Sequence, residues 1–191
     1  AANFSEGENT ADAHQLAAML RTLDEFPCPT LALVNGAAFG GGIGLVAACD
    51  IAIASTQARF SLSEVRLGLV PATISPYVVA AIGQRAARRF YLTGERFDAN
   101  TAHSIDLVHE VVPHDELKAA GEKMIDTLLC GAPKAQAVAK NLIKETAPAR
   151  DRDYLDAWTA RLIAEIRQTD EAAEGLAAFF DKRPAAWQTQ R

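Results

Sequence analysis

A glycine-rich turn between an aliphatic run and an Ala-rich run constrains the fold of this chain most. The residues of Thr30–Asn35 are typical of a strand, and four glycines follow within seven positions. They are Gly36, Gly40, Gly41 and Gly42. Apolar residues 43–49 then indicate a buried helix that begins at Gly41, whose unpaired N–H would point at a ligand in the turn. The order strand, turn, helix predicts an oxyanion or anion site, although such turns also serve packing alone.

The residues after this helix narrow the range of possible folds and functions. Asp50–Ala54 and Ala58–Ser61 are strand-like, and they lead to the segment SEVRLGLVP, residues 63–71. Neither a GxGxxG spacing nor a Gly-Lys-Ser/Thr phosphate loop is present in the turn, which disfavours nucleotide binding of those kinds. From Pro27 to Pro71 the pattern resembles the crotonase superfamily, the enoyl-CoA hydratase/isomerase group.

The resemblance implies a fold class, a domain organisation and a substrate. The fold is expected to be α/β and crotonase-like (ClpP/crotonase), with a β-β-α superhelix core over residues 1–112. An all-helical oligomerisation region is expected over residues 113–191. The substrate is expected to be an acyl-CoA thioester, with no metal and no other cofactor.

Two residues take catalytic roles by the same resemblance. Gly41 matches the glycine whose N–H holds the thioester oxygen, and Glu64 matches a glutamate that moves a proton. Gly44 stands where family members often have a first glutamate, so one acid/base group is missing. The expected substrate-binding residues are Ala38, Phe39, Gly40, Gly44, Ala72, Thr73, Phe179 and Lys182.

This chemistry requires such groups because the reaction passes through an enolate-like state. Preorganised N–H donors stabilise charge on the carbonyl oxygen by roughly 3–4 kcal/mol each in comparable sites. In family members a turn resembling GADL supplies the second donor, and no such turn occurs in the 191 residues. The resemblance therefore predicts half of an oxyanion hole and a missing N-terminal part of the fold.

Composition excludes several other classes of function. A net charge of −5 argues against a general nucleic-acid binder, and the apolar runs are shorter than a membrane span of about 20 residues. A cytoplasmic protein is expected. Three widely spaced cysteines, without a CxxC, indicate buried free thiols and neither disulfides nor zinc.

Local patterns predict further elements. Asn3–Asn9 is expected to be a loop, and periodic leucines predict a helix from about Thr10 to Phe26. Ser75 is expected to cap a helix running from Pro76 to about Ile82. A second helix over Gln84–Leu92, a short helix capped by Asp98 or Asn100, a strand over Val108–Val112 and a last helix over Asp170–Lys182 complete the prediction.

The segment PATISPYV, residues 71–78, favours a particular substrate class by resemblance. It is similar to bacterial methylglutaconyl-CoA hydratases and to related hydratases of carboxylated enoyl-CoA. The Ala72 N–H is expected to hold the attacking water, and Thr73 and Ser75 to lie near the acyl pocket. A second carboxylate on the substrate needs a cation, for which Arg66, Arg88 and Arg89 are equal candidates.

The C-terminal third of the chain is expected to be helical. Apolar residues on several helix faces, such as Leu155, Trp158 and Leu162, exceed what one small domain needs. The resemblance implies a trimer or a hexamer built by these helices, with Phe179 and Lys182 approaching the adenine and phosphate end of coenzyme A.

Three functions remain open from the sequence. One is hydration of a branched or carboxylated 2-enoyl-CoA, such as 3-methylglutaconyl-CoA, in leucine or acyclic terpene breakdown. Another is an enoyl-CoA isomerase, which can work with one carboxylate. The third is a non-catalytic CoA-binding or assembly subunit.

Overall fold

The computed structural model describes residues 5–147 and 150–189, which divide into two compact units. The first unit comprises residues 5–26 and 30–122 and holds all the strands. The second comprises residues 27–29 and the described residues from 123 onward. The boundary between the two units falls within a helix, after Glu122. The domain boundary predicted from the sequence lies after residue 112 and stays a prediction.

Six short strands form two sheets in the first unit. Strand β1 (Leu31–Val34) pairs in parallel with β3 (Ile51–Ser55), which pairs in parallel with β6 (Glu110–Val112). The second sheet joins β2 (Ala37–Phe39), β4 (Arg59–Ser61) and β5 (Arg96–Asp98). In it β2 and β4 are parallel, and β4 and β5 are antiparallel.

A side-chain clamp sets the register of the first sheet. The Asp50 carboxylate accepts hydrogen bonds from the N–H of Thr30, at 2.7 Å, and from its hydroxyl, at 2.8 Å. The Thr30 hydroxyl oxygen in turn accepts from the Asp50 N–H at 3.0 Å. This clamp precedes both strands, so the two runs enter the sheet side by side, with Leu31 opposite Ile51.

Helices surround the two sheets of the first unit. They are α1 (Glu6–Asp24), α2 (Gly41–Ala48), α3 (Ser75–Thr93), α4 (Ala99–Ser104) and the first half of α5 (Leu117–Leu128). Two short 3₁₀ helices, Ser63–Leu67 and His114–Glu116, also lie here. The buried core joins residues of α1, α2 and α3, such as Leu20, Ile43 and Val78, with residues of the strands.

The second unit is helical, as the sequence predicted. Helices α6 (Pro133–Thr146), α7 (Arg152–Ile166) and α8 (Asp170–Phe180) precede a last 3₁₀ turn, Ala186–Gln188. The Glu171 carboxylate caps α6, because it accepts hydrogen bonds from the N–H groups of Lys134 (3.1 Å) and Ala135 (2.8 Å). An apolar groove of about 530 Å³ runs between α6 and α7, lined by residues such as Val138, Leu142 and Ile163. Among the described helices, none is long and apolar enough to cross a membrane.

The structure corrects four local predictions. Helix α1 begins at Glu6, not near Thr10, because Ser5 and Glu8 form a capping box. The loop predicted over Asn3–Asn9 is therefore wrong from Glu6 onward. Residues 3 and 4 of the predicted loop lie outside the residues that the structure describes. Strands β2 and β5 were missed, because each has only three residues and is fixed by pairing with β4.

The third correction concerns Ser75, which is not an N-cap. It is the first residue of α3, where Ile74 occupies the cap position, and its hydroxyl donates to the Pro71 carbonyl oxygen at 2.6 Å. The fourth concerns the cysteines, since Cys28 and Cys130 are exposed and Cys49 is half-buried. The two helices predicted around residue 83 are confirmed as the two arms of α3, which a non-helical Gly83 separates. Of the two capping candidates for α4, Asp98 is the cap.

Acid is expected to weaken the second unit through Glu174. Hydrogen bonds from the Arg183 guanidinium, and then from the Ala186 N–H, lower the pKa of Glu174 from 4.5 to about 2. A folded-state pKa below the unfolded value contributes stability that is present above pH 4.5 and is lost as the pH falls toward 2. The thermal midpoint of the wild type should therefore fall more between pH 7 and pH 3 than that of Glu174→Gln. Glu165→Gln, at an exposed position of α7, is the control and should follow the wild type.

Candidate active site

Glu64 is positioned by a short 3₁₀ helix that follows β4. The helix Ser63–Leu67 is anchored by the fully buried Leu62 before it and ends at Gly68, whose φ of +73° is a left-handed conformation. The Glu64 carbonyl oxygen accepts a hydrogen bond from the Leu69 N–H at 3.0 Å, which fixes the backbone on the other side. The carboxyl-bearing residue is therefore held by main-chain geometry and not by an ion pair.

The glycine turn lies directly against the Glu64 carboxylate. Gly40 has φ +50° and ψ −119°, and its N–H donates to the Ser61 carbonyl oxygen at 2.9 Å. A Cβ atom built on Gly40 would be 3.2 Å from Glu64 Oε1. Glycine is needed at this position both for its backbone conformation and for the close approach of the carboxylate.

Gly41 follows as the first residue of α2, with an N–H that is free to bind a ligand. The residue is exposed, and among residues 5–147 and 150–189 no group accepts a hydrogen bond from this N–H. The structure thus brings the Glu64 carboxylate against the glycine turn that leads into Gly41. An N–H at a helix N-terminus beside a carboxylate is an arrangement that can hold an oxyanion and move a proton.

The Glu64 carboxylate is also partly unsatisfied. Within the described residues, its Oε2 atom is buried and has no hydrogen-bond partner. A buried carboxylate oxygen without a donor costs free energy, so native structures keep such groups where a ligand or water completes them. Oε2 is therefore the polar atom of this site that still lacks a hydrogen-bond partner among the described residues.

Gly44 is a packing position. It is buried, and a Cβ atom there would lie 2.8 Å from Ile74 Cβ and 3.7 Å from Leu20 Cδ2. No side chain fits at this position without displacing α1 or the turn before α3. A side chain at position 44 would meet core side chains, and the assignment of Gly44 to substrate binding stays a prediction.

The remaining predicted residues of the first unit have different surroundings. Ala38 is buried in β2 opposite Phe60, and the ring of Phe39 lies under the Arg96 guanidinium at 5.4 Å. Ala72 and Thr73 line a cavity of about 820 Å³ together with residues of α1. The Ala72 N–H already donates to the Val70 carbonyl oxygen at 2.8 Å, so in this conformation it does not serve as the predicted water-holding donor.

Phe179 and Lys182 lie at the end of α8, in the second unit. Phe179 is 77% exposed and makes an edge-to-face contact with Phe180, while Lys182 has a left-handed φ of +54°. Phe179 is therefore not a core aromatic, and its exposed ring is available to a ligand or a partner. Their assignment to coenzyme A stays a prediction.

The three arginine candidates differ in their contacts. Arg89 forms an ion pair with Glu95 at 2.7 Å, and Arg66 Nε donates to the Thr93 carbonyl oxygen at 3.2 Å. Arg88 is exposed and forms no ion pair within the described part of the chain. Of the three, Arg88 is the cation least engaged by the protein itself.

Sequence reasoning missed Tyr91, whose hydroxyl lies 3.1 Å from Ser75 Oγ. Burial raises the pKa of Tyr91 most, the Ser75 hydrogen bond lowers it, and the charge of Glu64 raises it further. No sequence signal marks this tyrosine, because its contact with Ser75 depends on the fold of α3.

Comparisons with known proteins agree with this fold. A family model described as enoyl-CoA hydratase/isomerase matches residues 2–190. A putative enoyl-CoA hydratase of Thermus thermophilus is 32% identical, and the match covers 93% of this chain and 70% of that protein. The mitochondrial Delta(3,5)-Delta(2,4)-dienoyl-CoA isomerase of Dictyostelium discoideum is 30% identical over 94% of this chain and 63% of that protein.

A solved structure gives the same result at the level of the fold. The enoyl-CoA hydratase of Shewanella pealeana superposes with a TM-score of 0.93 at 47% identity, over 97% of this chain and 69% of that one. The chain has the α/β crotonase fold, followed by a helical C-terminal region. It belongs to the enoyl-CoA hydratase/isomerase family.

Proposed function

We propose that the protein adds water to a 2-enoyl-CoA thioester, with Gly41 binding the thioester oxygen and Glu64 activating the water. The observation that carries this proposal is the approach of the Glu64 carboxylate to the glycine turn, 3.2 Å from the Cβ position of Gly40. Family membership and the hydratase relatives support it.

The geometry suits each step of the reaction. The Gly41 N–H, at the positive end of α2, stabilises the charge that develops on the thioester oxygen. The Glu64 carboxylate takes a proton from water, the water oxygen bonds to Cβ, and the double-bond electrons move into the thioester enolate. Glu64 then gives that proton to Cα, so the sum is the addition of one water. Proton transfer by a positioned carboxylate contributes about 10²–10⁴-fold to such reactions.

The acyl group is proposed to be branched or carboxylated, as in 3-methylglutaconyl-CoA. The resemblance of residues 71–78 supports this class. The cavity that Ala72 and Thr73 line adds no support for a second carboxylate, because its described lining holds no lysine or arginine and α1 presents other polar side chains there. These are Glu6, Asn9, Thr10 and His14.

An isomerase is the second candidate, and one observation favours it. Gly44 leaves no room for a second glutamate, and one carboxylate can shuttle a proton between two carbons. The dienoyl-CoA isomerase of Dictyostelium is one of the relatives. A binding or assembly subunit without catalysis is the third candidate, in which the same turn holds a thioester that does not react.

The second unit is proposed to serve assembly and coenzyme A binding. The apolar groove between α6 and α7 and the exposed Phe179 and Phe180 support a homo-oligomer, either a trimer or a hexamer. Phe179 and Lys182 are proposed to approach the adenine and phosphate end of coenzyme A. A cytoplasmic location is proposed with this function.

The experiment is a comparison of three acyl-CoA substrates with the whole protein that carries this sequence. The substrates are 3-methylglutaconyl-CoA, a linear 2-enoyl-CoA and a linear 3-enoyl-CoA, with products analysed by mass. A gain of one water from the 2-enoyl substrates supports the hydratase, and faster turnover of 3-methylglutaconyl-CoA supports the carboxylated class. Double-bond migration without a gain in mass supports the isomerase, and binding without turnover supports the third candidate.

A further inference from the structure

The chain segment that carries Glu64 contacts the end of α3 at two points. The first contact comes before the glutamate, where the Ser61 hydroxyl donates to the Gly94 carbonyl oxygen at 3.1 Å. The second comes after it, where Arg66 Nε donates to the Thr93 carbonyl oxygen at 3.2 Å. The two hydrogen bonds therefore hold the backbone on both sides of Glu64.

The loop of residues 93–95, which ends α3, is itself fixed by hydrogen bonds. The Thr93 hydroxyl donates to the Arg89 carbonyl oxygen at 2.8 Å, and its oxygen accepts from the Glu95 N–H at 3.2 Å. The Arg89 guanidinium donates to the Glu95 carboxylate at 2.7 Å. Gly94, between them, is buried and has a left-handed φ of +58°. The 93–95 loop is therefore an ordered support for the two contacts.

Arg66 contacts the 93–95 loop through its aliphatic stem as well as through its guanidinium. A Cβ atom built on Gly94 would be 3.1 Å from both Arg66 Cγ and Arg66 Nε. Glycine at this position lets the stem lie close to the backbone. The guanidinium donates to a carbonyl oxygen, and within the described residues it has no carboxylate partner. The contacts of Arg66 are therefore those of an anchor for its own segment.

Ser61 links the 93–95 loop to the glycine turn. Its side chain is only 2% exposed, so the hydroxyl is shielded from water. While the hydroxyl donates to the loop, the Ser61 carbonyl oxygen accepts from the Gly40 N–H at 2.9 Å. The Cβ position of Gly40 is in turn 3.2 Å from Glu64 Oε1. One buried serine thus connects the loop, the Glu64 segment and the turn that leads into Gly41.

The Glu64 side chain has no contact of its own that fixes it in this place. Within the described residues, no group donates to its buried Oε2 atom and no cation pairs with the carboxylate. The 3₁₀ helix that carries it spans only Ser63–Leu67, and 3₁₀ hydrogen bonds have poorer geometry than those of an α-helix. The position of the carboxylate therefore depends on what holds the backbone on either side.

We propose that Arg66 and Ser61 are positioning residues, which hold Glu64 against the glycine turn by anchoring its segment to the 93–95 loop. The proposal rests on the catalytic role of Glu64 proposed above. A displacement of a reacting group by about 1 Å can lower a rate by about 10²-fold. In this role neither residue touches the reacting atoms, so their loss should lower kcat and leave KM nearly unchanged. The Arg66 guanidinium is then engaged by the protein and does not bind a second carboxylate of the substrate.

The first test replaces Arg66 in the whole protein that carries this sequence. Arg66→Met keeps an apolar stem over Gly94 but removes the donor, and it should lower kcat on the enoyl-CoA substrate by about tenfold, with KM changed less than about threefold. Arg66→Lys keeps a donor on a stem of similar length and should recover part of the loss. Arg85→Met, the same change at an exposed position of α3, is the matched control and should keep wild-type kinetics.

A second variant removes the other anchor without changing any charge. Ser61→Ala deletes only the hydroxyl, and it should lower kcat by about threefold to tenfold, again with little change in KM. Thermal unfolding of each variant shows that it is folded at the assay temperature.

A double-mutant cycle with Glu64→Gln separates positioning from a structural role. If Arg66 acts through Glu64, Arg66→Met should change the residual kcat of Glu64→Gln by less than about twofold, because no carboxylate is left to position. A structural role would lower kcat by the same factor in both backgrounds.

The outcomes distinguish this proposal from the catalytic role of Glu64. An active wild type whose folded Arg66→Met and Ser61→Ala variants keep its kcat overturns the positioning role alone, as do equal losses in both backgrounds or a loss that lies in KM. A wild type that turns over no enoyl-CoA substrate, or a fully active Glu64→Gln variant, overturns both roles. Loss of kcat that requires Glu64 and is partly recovered by Arg66→Lys supports both.

Discussion

Glu64→Gln is expected to lower turnover of an enoyl-CoA substrate by about 10²–10⁴-fold, the usual contribution of a positioned acid/base group. The amide has the same shape as the carboxylate but cannot accept a proton from water. KM should change little, because in the proposed mechanism the Gly41 N–H, and not Glu64, holds the thioester oxygen. Steady-state kinetics on the substrate that the wild type turns over fastest measures this effect.

The stability of Glu64→Gln is not expected to fall along with its activity. Glu64 Oε2 is buried and accepts no hydrogen bond within the described residues, so a glutamine side chain of the same shape loses no partner at this position. We expect a thermal midpoint equal to or above that of the wild type. Glu122→Gln, at an exposed position of α5, is the control and should keep full activity. Turnover of Glu64→Gln within threefold of the wild type would remove Glu64 from the mechanism.

Gly44→Ala is expected to destabilise the protein by about 1–3 kcal/mol, the usual cost of overpacking a core. The added methyl group would lie 2.8 Å from Ile74 Cβ, which belongs to the turn that starts α3 and cannot rotate away. The gain in helix propensity from glycine to alanine, up to about 1 kcal/mol, offsets only part of this. Chemical denaturation measures the difference.

Two further variants make this result specific. In Gly42→Ala the new Cβ would be 3.7 Å from Ala38 Cβ, an ordinary contact, so this variant should be neutral or stabilising. On an Ile74→Ala background, Gly44→Ala should cost less than in the wild type, because the two side chains compete for one space. Equal costs on both backgrounds would show that the position has room for a side chain.

The effect of Gly44→Glu is expected to follow from the same packing around position 44. It introduces the residue that many family members have at this position, but the site has no space for it. We expect loss of stability and no gain of activity. Ile74 occupies the space that a side chain at position 44 would need. Introducing a glutamate at this position is therefore not expected to add a second acid/base group.

Several elements could be predicted because their signals are local. The strand before the glycine turn, the helix that starts at Gly41 and the capping of α4 by Asp98 depend on residues close in sequence. The capping box of Ser5 and Glu8 is an equally local signal, and it places the start of α1 before the predicted one. Strand β2 is different, because only its pairing with β4 makes three residues after a glycine a strand.

The amino-acid sequence by itself determined the order strand, glycine turn, helix, and with it the family and the two residues proposed for catalysis. Only the tertiary structure decided what surrounds them. Ile74 fills the space that a side chain at Gly44 would need, and the bend at Gly83 brings Tyr91 to Ser75. The residues in these two contacts are 30 and 16 positions apart in the sequence. Whether residues so far apart meet depends on how whole helices pack, and no local sequence pattern predicts it.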